Sequence, residues 1–503
     1  MIFKPQFKKA FMADAPYKIV IGLEVHVQLS TKSKLFCGCA TEFGASPNTQ
    51  TCPVCLGLPG SLPVMNAQAV ELAIRTGTAL NCEIALTTKW DRKNYFYPDL
   101  PKGYQISQFD QPICGEGYLD FADPEKDGET LRVRLIRAHL EEDAGKSMHD
   151  EAAGKADSRI DLNRTGTPLL EIVSYPDLTS AAAAKAYLTE LRLLLTYLGV
   201  SDCNMQEGSL RADANVNLHI EQAGQTIATP IVEVKNLNSF RAVERAIAYE
   251  SQRQYDQWLK TQQKIGDAPK QTRGWDDDAG VTVAQREKEE SSDYRYFPDP
   301  DLVPITISAE QIAAAQSRAE LPAAIRQRLE GVLGLKAYDA DVIVSHGCGM
   351  VEYFDNAVAA GASAKRVSSW MQQDVMRTLK EQDGTIQHFP VKAVTLAGLL
   401  KAIDAGAIDN SRGKEVFQFW LQNPEADLES AKKVLGIATV DRGEIENLCR
   451  ELLAENPQIV TQVREGNLKG LGSLIGPAKK KNPNVDPKLV RELCQQMIES
   501  GAV

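Results

Sequence analysis

Apolar and polar positions alternate strictly from Leu23 to Leu29, with Leu23, Val25, Val27 and Leu29 set against Glu24, His26 and Gln28. A period of two predicts a strand with one apolar and one polar face, on which Glu24 and His26 project side by side. Taken alone, that face reads as a half-exposed edge strand meeting water. Two further stretches repeat the pattern. Ser209–His219 sets Leu210, Ala212, Ala214, Val216 and Leu218 against Arg211, Asp213, Asn215, Asn217 and His219, and Leu131–Asp143 ends in the acidic run Glu141-Glu142-Asp143. Three strands with polar faces this rich in acids, amides and arginine predict one sheet lining a wet, charged cleft. Charges that converge there need a partner, and a cation is the obvious one.

The remaining pattern sets the fold class. Arg164–Pro168 is a turn, and Leu169–Val173 follows as a buried strand in which a lone Glu171 is costly unless it is paired or binds metal. Val232–Asn238 is a further strand, and helical periodicity covers Ala67–Leu80, Ala181–Leu198 and Phe240–Leu259. Beyond Leu302 the texture changes to successive alanine-rich helices: Ala309–Ala319, Ala323–Gly331, Val351–Ala360, Val367–Glu381, Leu396–Ala405, Arg412–Leu421, Glu444–Glu455, Gln458–Glu465 and Pro487–Ser500. The expected class is α+β, a mostly antiparallel sheet domain followed by all-α domains. A chain of 503 residues is too long for one core. The expected divisions are an extension over 1–16, a sheet domain over 17–305, a helical domain over 306–410 and a tail domain over 411–503.

Composition narrows the environment. No apolar run is long enough to span a bilayer, and Met1–Pro16 carries Lys4, Lys8 and Lys9 without an apolar signal core. This predicts a cytoplasmic protein in which the ten cysteines are reduced, so that an organised cluster binds metal. Cys37-Gly38-Cys39, then twelve residues, then Cys52-Pro53-Val54-Cys55 can supply four thiolates to a tetrahedral zinc. With no open position such a zinc is structural; the alternative is four ordinary buried thiols. A net charge of −11 argues against a general nucleic-acid coater but allows a local basic patch. Lys479-Lys480-Lys481, with Lys469, Lys488 and Arg491 nearby, forms one in the Gly-punctuated tail and is a candidate for contacting RNA phosphates, against the plainer reading of a solvated helix end.

Two Pro-framed aromatic clusters remain, Asp91–Tyr104 and Asp293–Asp301. Either could be a rigid loop capping the core with tyrosines. Either could bring cations such as Lys93 to phosphate and aromatic rings to a base.

Gly22-Leu23-Glu24-Val25-His26, Cys37–Gly60, Asp91–Gln105, Glu141–Lys146, Asn163–Glu171, Glu207–Asn215, Glu233–Ala242 and Asp293–Asp301 resemble the B subunit of aspartyl/glutamyl-tRNA amidotransferases. The likeness runs from about Tyr17 to the C-terminus and is densest up to Leu302. Ala212 stands where many members carry cysteine. The resemblance implies a cradle domain with a glutamine-synthetase-like or guanido-kinase-like fold, then a helical domain and a tail that grips tRNA. It implies a kinase-like step: with ATP and Mg²⁺, the side-chain carboxylate of Glu-tRNA(Gln) or Asp-tRNA(Asn) is phosphorylated. Ammonia from an amidase A subunit then converts it to the amide, while a small C subunit wraps both partners.

Phosphoryl transfer between anions needs metal and cationic clamps. The sheet offers Glu24, His26, Glu171 and Asp213 as magnesium-ligand candidates, with one acid of the Glu141-Glu142 pair and Glu207 as a further option. The resemblance selects Glu142, whereas strand parity places Glu141 beside Arg137 and His139. Lys93 and Arg211, with Lys146, Lys235 and Arg295, are the candidates for phosphate contacts. Two rival functions are a non-catalytic tRNA-binding scaffold and a zinc hydrolase. Carboxylates lining the cleft do not benefit the first, and the closed cysteine set argues against the second.

Overall fold

In the computed structural model, residues 17–149, 158–285, 294–316, 320–437, 442–465 and 467–500 are described. The 1–16 extension, Asp293 of the second aromatic cluster and Gly466 of the tail lie outside them. The chain divides into two compact units that meet in sequence between Pro322 and Ala323.

The first unit is organised on a nine-stranded sheet. Its order is Val281–Ala284, Gln271–Asp276, Val232–Lys235, Leu210–Gln222, Tyr17–Gln28, Pro168–Ser174, Thr130–Glu142 and Gly117–Ala122, with Gln225–Ala228 also paired to Leu210–Gln222. All neighbours are antiparallel except Val232–Lys235 with Gln271–Asp276. The alternation in the sequence becomes two faces. Leu23, Val25 and Val27 are wholly buried on one, beside Leu140, Leu170, Ile172, Ala214 and Val216 in a single core.

Helices Ala67–Ala79, Ala181–Tyr197 and Phe240–Thr261 contribute to that core with Ala73 and Ile74, Tyr187 and Leu191, and Ala246 and Ile247. The latter two begin where a serine can cap them. Ser180 Oγ accepts from the Ala183 amide at 3.1 Å and Ser239 Oγ from the Ala242 amide at 3.0 Å, satisfying donors that a helix start leaves open. A small sheet of Asp91–Asn94, Tyr104–Ser107 and Phe297–Pro298 joins the two aromatic clusters.

Among its described residues the second unit carries helices and no strand. Helix Ala364–Trp370 runs through a π-helical turn, Met371–Val375, into Met376–Glu381, where the sequence pattern predicts one helix. Ile445, Leu452, Val460, Leu474, Val490 and Leu493 gather the last helices into a separate core. The chain is thus α+β, a mostly antiparallel sheet unit followed by helices.

Candidate functional site

Strand register builds the polar face row by row. Arg211 pairs with His26, His26 with Glu171, and Glu171 with His139, so four side chains from four strands form one cross-strand row. Asp213 pairs with Glu24 in the adjoining row, and Gln28, Leu169 and Glu141 align in the row on the other side. Directly opposed residues share a face and their Cβ atoms lie about 4.5–5.5 Å apart, which is why residues 145 positions apart in sequence meet here.

Glu171 is the centre of the row. Its Oε2 lies 3.6 Å from His26 Nε2 and 3.5 Å from His139 Nε2. His26, Glu141 and Glu171 each offer a ligand atom, all within 4.8 Å of one another. Glu141 Oε2 is 3.4 Å from Lys93 Nζ and 3.3 Å from Ser107 Oγ, both carried by the small sheet.

Burial works to raise the pKa of Glu171, but the charge of His139 and the hydrogen bond from His26 outweigh it and hold the carboxylate well below the usual range. Burial likewise opposes ionisation of Glu141, and Lys93 and His139 overcome it. Burial alone would depress His26, yet its bond to Glu171 raises it above 6.5. The two carboxylates are thus held ionised by the cations that surround them. The His139 Nδ1 atom is buried without a partner.

The other expected residues fall around this centre. Glu24 accepts from Asn215 Nδ2 at 2.9 Å, and Asp213 accepts from Lys235 Nζ at 2.7 Å; both line the adjoining row outside the three-residue group. Glu142 points to the opposite side of its strand. It is buried against Lys102 and accepts from the Ile106 amide at 3.0 Å, so Glu141 is the acid within reach of His26 and Glu171. The cause is the two-residue period: neighbours in one strand cannot share a face.

Arg211 donates to the buried Asp143 at 2.9 Å, and although burial opposes it, Arg211 holds that carboxylate below its usual range. Lys146 is exposed at the start of the Lys146–His149 strand, Arg295 is exposed with a left-handed backbone at φ 42°, and Glu207 is exposed on a turn. Phe109 and Tyr296 stack at 4.1 Å, and the Lys93 ammonium lies 5.4 Å from the Tyr294 ring centre, so both aromatic clusters border the charged face.

Cys37, Cys39, Cys52 and Cys55 bring four sulfurs within 4.8 Å of one another. Cys52 and Cys55 Sγ are 3.9 Å apart, against about 3.8 Å for two corners of a tetrahedron with Zn–S of about 2.3 Å. The Cys55 thiol is pushed down to about 4 by hydrogen bonding from Cys37, with the Cys52 amide and Lys34 helping. The residues fit a closed thiolate site.

In the tail, Lys479 pairs with the nearly buried Asp409 at 3.2 Å and Lys481 with Glu455 at 2.6 Å. Lys469, Lys480, Lys488 and Arg491 are exposed, and Lys488 reaches Glu492 at 3.9 Å.

No sequence pattern singles out Lys34 or Lys102, and the roles of His139 and Asp143 are not legible in the sequence alone. His139 was visible in the alternation Arg137, His139, Glu141, whereas nothing in the sequence marks Lys34 as buried.

The family model described as the GatB/GatE catalytic domain matches residues 19–313, and the one described as the GatB domain matches 352–498. The chain is 61% identical over 485 residues to the B subunit of the aspartyl/glutamyl-tRNA(Asn/Gln) amidotransferase of Rhodopirellula baltica, covering 96% of this chain and 97% of the relative. It is 46% identical to the B subunits of the same amidotransferase from Chlorobaculum tepidum and Geobacter sulfurreducens, over 487 residues, 96% of this chain and at least 99% of each relative. Identity at this level over nearly the whole chain, on a sheet whose charged face the matched catalytic domain encloses, means that the chain belongs to the family of B subunits of aspartyl/glutamyl-tRNA amidotransferases.

Proposed function

We propose that this chain activates the side-chain carboxylate of Glu-tRNA(Gln) or Asp-tRNA(Asn) by phosphorylation from ATP, in the cytoplasm, as one component of an amidotransferase. Hydroxide is a poor leaving group, so a free carboxylate does not accept ammonia. Attack of the carboxylate oxygen on the γ-phosphorus releases ADP and forms an acyl phosphate. Ammonia from a partner amidase subunit then attacks the carbonyl carbon and phosphate leaves, giving Gln-tRNA(Gln) or Asn-tRNA(Asn). A small C subunit completes the assembly. That the relatives are B subunits of aspartyl/glutamyl-tRNA(Asn/Gln) amidotransferases supports the amidation part of this reading.

The observation that carries it is the His26, Glu141 and Glu171 group, three ligands from three strands at the floor of a charged face. These would hold Mg²⁺, which when bound neutralises charge on the transferring phosphoryl group. Glu24 and Asp213 would accept from its waters in the adjoining row, as magnesium usually keeps several. Lys93, which touches Glu141, would bring positive charge to the phosphates. Arg211 and Lys235, oriented by Asp143 and Asp213, would clamp them, with Lys146 and Arg295 further out. Four cysteines would hold a structural zinc, and the 411–503 tail would meet tRNA phosphates through Lys480, Lys488, Arg491 and Lys469.

The test is reconstitution with the amidase subunit. ATP- and Mg²⁺-dependent formation of Gln-tRNA(Gln) or Asn-tRNA(Asn) is expected, with no glutamine hydrolysis by this chain alone. Amide formation without ATP consumption would refute the reading.

A further inference from the structure

Among the described residues, Lys34 is the only buried lysine or arginine, with 1% of its surface exposed. A buried ammonium is costly unless an anion compensates it. Its Nζ donates to the carbonyl oxygens of Gln50 at 2.7 Å and Leu162 at 3.5 Å, which are neutral, and to Cys55 Sγ at 3.7 Å. No carboxylate pairs with it among the described residues. The neighbouring Glu142 carboxylate is taken up by Lys102 and the Ile106 amide. The anion that Lys34 requires is therefore the thiolate set. Four thiolates around a divalent ion carry a net charge of −2, which a buried ammonium halves.

The same side chain joins two loops. Its own amide donates to the Cys39 carbonyl at 3.0 Å, inside the ligand loop. Gln50 and Leu162, which its ammonium bridges, belong to segments already stitched together: the Gln50 amide donates to Asn163 Oδ1 at 2.8 Å and the Leu162 amide to Asn48 Oδ1 at 2.8 Å. Residues 162–167 form the turn that delivers Glu171, and a Cβ on Gly166 would lie 3.5 Å from Cys55 Cβ and 3.6 Å from Lys34 Cδ.

We propose that Lys34 is the charge partner of the four-cysteine centre and the positioning residue that ties it to the turn preceding Glu171. This rests on the zinc reading above. Outer partners of metal ligands typically tune affinity by 10- to 100-fold.

The experiment uses the full chain loaded with zinc, with Lys34→Met and Lys34→Arg beside it, and competition against a chromophoric chelator. Lys34→Met, which keeps the stem and removes the charge, is expected to weaken zinc binding about 10- to 100-fold, whereas Lys34→Arg stays within a few-fold of the parent. Cobalt-loaded Lys34→Met should keep the charge-transfer intensity of four thiolates, showing that the ligands themselves are intact. Equal zinc affinity in parent and Lys34→Met would overturn the proposal while leaving the zinc reading standing. A parent protein that binds no zinc would overturn both. Should Lys34→Met not fold, hydrogen exchange on the unaltered protein with and without chelator decides. Deprotection reaching residues 162–167 supports the tie, and deprotection confined to residues 37–55 overturns it.

Discussion

Replacing Glu171 with Gln removes one charge from the centre of the cross-strand row and nearly preserves its shape. The carboxylate lies 3.5 and 3.6 Å from two imidazole nitrogens and is only 8% exposed, so solvent screens it little. At an effective dielectric of about 20, a unit charge at that range is worth roughly 5 kcal/mol. Taken as the scale of what the carboxylate contributes to holding a cation, before the amide oxygen recovers part of it, this corresponds to somewhat more than a thousandfold. Magnesium activation of phosphate transfer should therefore weaken by roughly ten- to a thousandfold. The assay is ATP-dependent phosphorylation of the aminoacyl carboxylate across a magnesium titration, in the reconstituted complex. Binding of tRNA, basal glutamine hydrolysis by the partner and thermal unfolding are measured alongside. If Glu171 serves only to pair with the two histidines, breaking that buried arrangement costs about 3–5 kcal/mol of stability and lowers every activity together. A uniform loss with a depressed melting temperature would refute the metal assignment.

Further outcomes separate neighbouring residues. Glu141→Gln should mimic Glu171→Gln in the magnesium titration, whereas Glu142→Gln should leave the magnesium midpoint unchanged and lower the melting temperature, because it leaves the Lys102 ammonium without its carboxylate partner; reversed results would exchange their roles. Cys52→Ser should lower stability before it affects phosphate transfer, and purified protein should carry about one zinc per chain. Zinc-free protein of full stability would contradict this. Lys480→Ala and Arg491→Ala should each flatten the log–log salt dependence of tRNA binding by roughly 0.7–0.9, with turnover at saturating tRNA retained. An unchanged slope in both would move the tRNA contact elsewhere. Lys479→Ala should instead lower the melting temperature of the second unit, since it leaves the nearly buried Asp409 side chain without its cation.

Local periodicity in the sequence determined a good deal of this protein. Alternation from Leu23 to Leu29 and from Leu210 to Leu218 specified two strands and which of their faces is buried, because successive side chains in a strand point to opposite sides. The cost of an isolated carboxylate among Leu169, Leu170, Ile172 and Val173 singled out Glu171 before any partner was visible. The spacing of Cys37, Cys39, Cys52 and Cys55 brought out the thiolate set.

Tertiary structure decided what depends on register between distant strands. Nothing local states that His26 lies opposite Glu171 and Glu171 opposite His139; those pairings follow from how three strands align. Resemblance pointed to Glu142 while parity pointed to Glu141, and only the turn of the strand over Lys93 and Lys102 shows which carboxylate each cation meets. Lys34 looks in sequence like any surface lysine near a loop. Its burial against Cys55, Gln50 and Leu162 exists because segments more than a hundred residues apart close around it, and a charge so enclosed acquires its role from the groups that fold places there.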